Sequence, residues 1–308
     1  MRNFGYDQLN RLTSSVDVTT AGAQVTGGLN QQYTLDNWGN LSSLGSSGFN
    51  QAINQQNQVP SFGYGAGGRL VNDGTLSYVY DDDGMLLTSS DAVGARAQVA
   101  KGGVSKEYYY SAGQLIATLN PGQGAAGWTD IINAGGQRIA VVAGSQAAAP
   151  VYTLPDHLGS EVASANNDGT TADALDYAPF GQVISGTSSD PFIFAGLERD
   201  ATGLDHAGFR QYSSATARWT TPDPFDGSYV LSNSQSLNRY SYVGNMPLHY
   251  TDPSGLVVLL GCGFTTAPDG GAIIFSGGIS AIDIPADTAL ASCFSGFPTG
   301  ATYASSTT

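Results

Sequence analysis

In a chain of 308 residues the side chains able to do chemistry are few: 25 Asp and Glu, 11 Lys and Arg, three His and two Cys. The Asp-Pro steps Asp223-Pro224 and Asp252-Pro253 carry carboxylates 29 positions apart, which only the fold can bring together. Two carboxylates in one dry site can split an amide, one ionised to activate water and the other protonated to polarise the carbonyl. Asp-Pro is equally a turn starter, and on the residues alone both steps read as turns. His157, His206 and His249 show no HxxxH or HxxE spacing, so no metal is expected. The run Asp81-Asp82-Asp83-Gly84 lacks the spaced ligands and closing Glu of a calcium loop and reads as a solvated turn. Cys262 and Cys293 allow at most one disulfide, near the C-terminus. The tail 257–308 has no Lys, Arg or His and three acids, Asp269, Asp283 and Asp287, too little for acid-base or phosphate chemistry, so no toxin activity is expected there. No cofactor is expected either.

The elements that must position these groups are turn-rich. Glycine occurs 41 times, charged residues make up only 12%, and 16 Tyr, 12 Phe and 3 Trp provide side chains to bury. This composition excludes helical bundles and a disordered chain. A net charge of -14 repels a phosphate backbone and an anionic bilayer, which argues against nucleic acid and membrane partners. No window reaches the roughly 18 apolar residues of a membrane helix, and Met1 to Tyr6 has neither the charged nor the apolar region of a signal peptide.

One seven-residue frame recurs: aromatic or apolar, usually Asp, two free positions, Gly or Asn, one free position, Leu. The copies are YDQLNRL (6–12), LDNWGNL (35–41), YGAGGRL (64–70), YDDDGML (80–86) and YYSAGQL (109–115), starting 29, 29, 16 and 29 residues apart, with a degenerate YAPFGQV at 177–183. An aromatic ends one strand, Asp and a positive-φ Gly or Asn turn the chain, and Leu opens the return strand. The frame predicts an all-β fold of repeated antiparallel hairpins forming a curved, spiralling sheet, with one short helix near 236–242. The Asn- and Gln-rich tracts between frames, such as FNQAINQQNQVP, read as solvated strands or loops. A Gly- and Ala-rich stretch ending at 150 suggests three parts: repeats over 1–150, a denser block over 151–256, and a tail over 257–308.

From 152 onwards distinct motifs follow one another: PDHLGS, DALDYAPFGQVIS, FAGLERDATGLDHAGFRQYSSATARWTTPDP and SLNRYSYVGNMPLHYTDPSGL, ending at Leu256. With the upstream Tyr-Asp frames, this block closely resembles the Rhs/YD-repeat family, specifically its Rhs repeat-associated core domain. The resemblance implies a spiralling β-shell around the C-terminal segment, plugged by a core domain that in many members acts as an aspartyl protease on its own chain. Carried onto this sequence, it implies Asp223 and Asp252 as the catalytic pair, Arg218 as their cationic helper, and the bond from Leu256 to Val257 as the cleavage site. Implied partners are the chain's own C-terminal segment and upstream repeat regions, in a polymorphic-toxin setting that is bacterial and secreted or surface-bound. Where the common pattern reads GLxYFGARYY, this chain reads GLDHAGFRQY (203–212). Glu198, Arg199 and Asp200 read as a structural ion-pair cluster, and His157 as a group hydrogen-bonding a turn.

At about 16 Å² of sheet per residue, 256 residues cover at most about 4,000 Å². Enclosing a 100-residue cargo takes about 6,000 Å². A partial shell, curled at most around its own tail, is therefore expected, with open edges that favour self-association. A second class of function, a non-catalytic surface or adhesion sheet offering tyrosines to a glycan or protein, fits the same composition.

Overall fold

A hairpin loop is favoured by a residue at positive φ and by a side chain able to hold the loop amides, and Asp-x-x-Gly supplies both. The computed structural model describes residues 1–256 except 46–47, 81–85, 92–95, 100–105, 112–113, 121, 135–136, 145–147, 201, 226–227, 229–230 and 232, and then 259–260, 265–266 and 273–274. The Asp81-Asp82-Asp83-Gly84 run, Val257, both cysteines and the three acids of the tail lie outside the described residues.

Among the described residues one turn is used nine times. Its first residue donates its N–H to the carbonyl four residues on and accepts the N–H three residues on, at loops starting with Asp7, Thr19, Asp36, Asn54, Gly65, Asp156, Asn166, Ala178 and Asp200. The fourth residue of each loop is Gly or Asn with φ between 59° and 87°. Asp7, Asp36, Asn54, Asp156 and Asp200 each also accept two loop N–H groups on Oδ1, at 2.8–3.1 Å. Four of the five frames pair first residue with last as expected: Tyr6 with Leu12, Leu35 with Leu41, Tyr64 with Leu70 and Tyr80 with Leu86. The fifth departs, because Tyr110 rather than Tyr109 sits nearest Leu115 and Ser111 pairs with Gln114 across a two-residue loop. The tract INQQNQV, expected to be a solvated strand or loop, holds the Asn54 turn.

The strands are antiparallel throughout. The first sheet holds β1 (Arg2–Tyr6), β2 (Leu12–Asp17), β3 (Asn30–Leu35) and β4 (Leu41–Leu44) in order. The second holds β5 (Gly63–Tyr64), β6 (Leu70–Asn72), β7 (Leu76–Tyr80), β8 (Leu86–Asp91) and β9 (Arg96–Val99). An eight-stranded meander follows: β10 (Glu107–Ser111), β11 (Gln114–Leu119), β12 (Trp128–Ala134), β13 (Gln137–Ala143), β14 (Val151–Pro155), β15 (Glu161–Ala165), β16 (Thr171–Tyr177) and β17 (Val183–Thr187). It runs through residue 150, since β13 pairs with β14 at Ala140 and Tyr152. The last four-stranded sheet is short: β18 (Glu198–Arg199), β19 (Leu204–His206), β20 (Gln211–Ser213) and β21 (Arg218–Trp219). Two-stranded pairs complete the set, β22 (Tyr250–Thr251) with β23 (Leu259–Leu260) and β24 (Thr265–Thr266) with β25 (Ile273–Ile274).

The frame leucines are the link between turn and core. Leu12, Leu41 and Leu44 are buried in one cluster with Phe180, Phe194, Tyr212, Trp219 and Tyr242, so the first hairpins and the last block share a core. Apolar burial of this kind contributes roughly 25 cal/mol per Å². Residues 233–245 run across the hairpin loops: Asn238 and Asn245 donate to the Gly39 carbonyl at 2.8 and 2.9 Å, and the Tyr240 hydroxyl donates to Gly68 at 2.6 Å. The short helical element expected at 236–242 is a single 3-10 turn at Ser234–Leu237, capped by Asn233. Residues 238–242 are drawn into those loop contacts, and a second 3-10 turn follows at Val243–Asn245. Arg2 closes the first sheet onto the eight-stranded one, pairing with Asp17 of β2 at 2.8 Å and Asp176 of β16 at 2.9 Å.

Candidate functional site

The Asp223-Pro224 and Asp252-Pro253 steps do start turns. Asp223 accepts the Phe225 N–H on Oδ1 at 2.9 Å. Asp252 accepts those of Gly255 at 2.8 Å and Leu256 at 3.0 Å, with the Ser254 hydroxyl at 3.2 Å, in a loop that Gly255 closes at φ 77°. Their other oxygens take a second task. Both Oδ2 atoms accept from one nitrogen, Nη2 of Arg210, at 3.1 Å from Asp223 and 3.3 Å from Asp252. The fold thus joins carboxylates 29 positions apart through an arginine that precedes β20.

Arg210 is 3% exposed and used on every side. Nη1 donates to the Arg239 carbonyl at 3.1 Å, Nε donates to the Gly255 carbonyl, and the guanidinium lies 4.3 Å from the Trp219 ring. Burial lowers its pKa from the usual arginine value, while Asp223 and Asp252 favour the charged form. The Asp223 backbone is fixed too, its N–H on Arg239 and its carbonyl under the Arg239 Nε, both at 2.9 Å. Arg210 therefore connects the carboxylate pair to the carbonyl one residue before Leu256, whose own N–H rests on Asp252. Val257, the other side of the expected cleavage site, lies outside the described residues.

Arg218 is not in this group. It is buried on β21, paired with Ser213, with its guanidinium 5.3 Å from the Tyr240 ring and Nη2 donating to the Asn57 carbonyl. It serves the Asn54 hairpin loop, while Arg210, from the start of the neighbouring strand, takes the place expected for it. A signal for this was present in the sequence: Arg210 is the eighth residue of GLDHAGFRQY, where the pattern GLxYFGARYY also has arginine.

The remaining charged residues form separate pairs. Arg199 is bidentate to Asp205 at 2.8 and 2.7 Å, and burial pushes the Asp205 carboxyl up to about 6 against the pull of Arg199. Asp200 meets His206 at 2.8 Å, and Glu198 meets Lys106. The Glu198-Arg199-Asp200 run is thus three ties to three partners, because alternate residues of a strand face opposite ways. His157 sits in the loop that Asp156 holds, and its Nε2 reaches the carbonyl of Leu248, in the turn at 247–249, at 3.1 Å. Among the described residues no three His, Cys, Asp or Glu side chains stand close enough to hold a metal, and no helix is long and apolar enough to cross a membrane.

This arrangement has known counterparts. The Teneurin YD-shell family profile matches residues 136–248. Toxin subunit YenC2 of Yersinia entomophaga is 34% identical over 101 residues, 30% of this chain and 10% of that protein. Teneurin-1 of Gallus gallus is 24% identical over 188 residues, 58% of this chain and 6% of that protein. The chain thus spans a tenth or less of these curated relatives. In structure it is similar to TcdB2-TccC3 without its hypervariable C-terminal region, with a TM-score of 0.56 at 19% identity, over 83% of this chain and 15% of that one. The repeated hairpin turn, the antiparallel meander and the matched block over 136–248 make this chain similar to the YD/Rhs-repeat shell proteins.

Proposed function

We propose that the chain is a structural shell module of a toxin-complex-like assembly that cuts itself after Leu256. The supporting observation is that Asp223 and Asp252 meet on one nitrogen of Arg210, whose Nε holds the Gly255 carbonyl. The bond leading to Val257 is tethered next to the pair, which raises the effective concentration of substrate. In the cut, one ionised aspartate takes a proton from water as its oxygen attacks the Leu256 carbonyl. The other, protonated, gives its proton to the Val257 nitrogen as the C–N bond breaks, leaving a carboxylate on Leu256 and an amine on Val257. Repeats over 1–150 and the block over 151–256 are then wall and plug, with the tail 257–308 as the released partner, in a bacterial protein working outside its cell.

One observation favours a second reading, in which the triad is a structural tie. A guanidinium between two carboxylates favours the anionic form of both, and each Oδ1 is already occupied by its own turn. Intact mass separates the two. The self-cleaving reading expects two species in the parent, the smaller near 5 kDa for 52 of 308 residues, and one uncut species in both Asp223→Asn and Asp252→Asn. A single uncut mass in the folded parent leaves the tie.

A further inference from the structure

Residues 188–199 cross the eight-stranded sheet as a strap, tied strand by strand. Ser188 donates to Glu161 of β15 at 3.0 Å, Asp190 pairs with Arg138 of β13 at 2.9 Å, Ala195 donates to Ser160 at 3.0 Å, and Glu198 takes Lys106 and Tyr108 of β10. Phe192 packs beneath it against Ile131 and Val141. The strap also forms part of the wall of a pocket of about 290 Å³, with Leu175, Val183, Ser188, Asp190, Ile193 and Arg199 around it.

Glu161 is the anomaly in this set. It is 0% exposed, its Oε2 accepts the Ser188 hydroxyl, and its Oε1 is buried without a hydrogen-bond partner. The charges around it do not balance. Arg138 stands 2.9 Å from both oxygens of Asp190 and gives Nη2 to the Phe192 carbonyl, so its charge is taken by the strap. Lys106 is taken by Glu198. From β16, Tyr177 donates its hydroxyl to the Glu161 backbone carbonyl at 2.8 Å, and Asp173 is occupied with Ser164 and Ser189. One arginine thus faces two buried carboxylates, Asp190 and Glu161, and pairs with the first. A buried carboxyl without a cation is least costly when neutral.

We infer that Glu161 is a proton-operated latch: neutral, it stays buried beneath the strap, and ionised, its need for water outweighs the Ser188 bond, loosens residues 188–193 and opens the pocket beneath them. Burial, with the nearby Asp190 charge, pushes the Glu161 carboxyl up to about 7 from its usual 4.5, while Ser188 and Arg138 pull the other way. Burial pushes Asp190 up as well, against Arg138. Since the folded-state value is raised, the stabilisation is present in full below about pH 4.5 and is lost as pH rises through about 7.

The test compares parent and Glu161→Gln, an isostere of the neutral acid, in thermal melting and amide exchange between pH 5 and pH 8. The parent is expected to lose about 5 °C more than the variant across this range. Its amides at 188–193, corrected for intrinsic rates, are expected to exchange faster than the variant's only at the alkaline end. Parallel melting curves and equal exchange overturn the latch. Should the variant fail to fold, carbon-13 labelling of the parent decides, because the chain has only three glutamates, Glu107, Glu161 and Glu198. A Glu161 carboxyl resonance titrating near pH 7 upholds the latch, and three titrations at or below pH 5 overturn it.

Discussion

Asp36, in an outer hairpin, and Asp252, in the core block, begin turns by the same means, yet the two regions use the carboxylate differently. Asp36 accepts the Trp38 and Asn40 N–H groups on Oδ1 at 2.8 Å and the Asn40 side-chain amide on Oδ2 at 2.9 Å, so every partner lies in its own loop. Asp252 spends Oδ1 on its loop in the same way, but its Oδ2 faces Arg210, 42 residues earlier in the chain. A second aspartate, Asp223, faces the same nitrogen. The lesson is that one local motif supplies either a solvent-facing cap or one corner of a buried charge triad. Which it becomes depends on whether the fold delivers a cation to the spare oxygen.

The largest expected effect breaks that tie. Arg210→Met keeps most of the side-chain length but removes the charge that faces Asp223 and Asp252, takes the Arg210 donor from the Gly255 carbonyl and leaves the Arg239 carbonyl with the Asp223 N–H. Removing one member of a buried ionic group costs about 3–5 kcal/mol, so the variant is expected to unfold at much lower urea than the parent, or not to fold at neutral pH. If its midpoint matches that of an outer-turn variant, the core block is no different from the hairpins and the comparison fails.

The outer turns were legible because all their determinants lie within seven residues: the Asx side chain, the positive-φ position and the apolar flanks. The loops at Asp156, Asn166 and Asp200 went unread as repeats of the same turn. Their flanks are Pro155 and Glu161, Ala165 and Thr171, and Arg199 and Asp205, instead of an aromatic and Leu. The physics resides in the first and fourth loop residues, and the flanks only report what that hairpin buries. The site was legible in its aspartates through family resemblance and illegible in its arginine. Arg210 and Arg218 are eight positions apart beside paired strands, and which one reaches Asp223 is decided by the β20–β21 pairing and the Trp219 stack. Glu161 carries no signal at all, since its strand alternates like any other and its burial comes from a strap some 30 residues away.

A glycine pair sharpens the same contrast at intermediate size. Gly181 and Gly22 occupy the same loop position, with φ of 87° and 84°. A Cβ on Gly181 would stand 2.6 Å from the buried Phe194 ring, whereas one on Gly22 meets nothing within 4 Å. Both alanine variants carry the left-handed backbone cost of about 1 kcal/mol, and Gly181→Ala adds overpacking of about 1–3 kcal/mol. Denaturant midpoints measured side by side should therefore differ, and equal losses would show that the core turn has as much room as the outer one.

The smallest effect is expected at Asp36 itself. Asp36→Ala removes three acceptor contacts; water can reach the freed Trp38 N–H but not the Asn40 groups, which are buried under Asn238, so the net loss is about 1–3 kcal/mol. Asp36→Asn keeps an Oδ1 able to accept both loop amides and is expected to recover most of that loss. The same Asp-to-Asn exchange at Asp252 leaves the loop contacts equally possible while removing one of the two charges facing Arg210. The ratio of the two Asn effects thus measures the tie with the turn cancelled out. A near-neutral Asp36→Asn beside a costly Asp252→Asn fits a charge triad, while two near-neutral exchanges would mean that both aspartates are turn residues and nothing more.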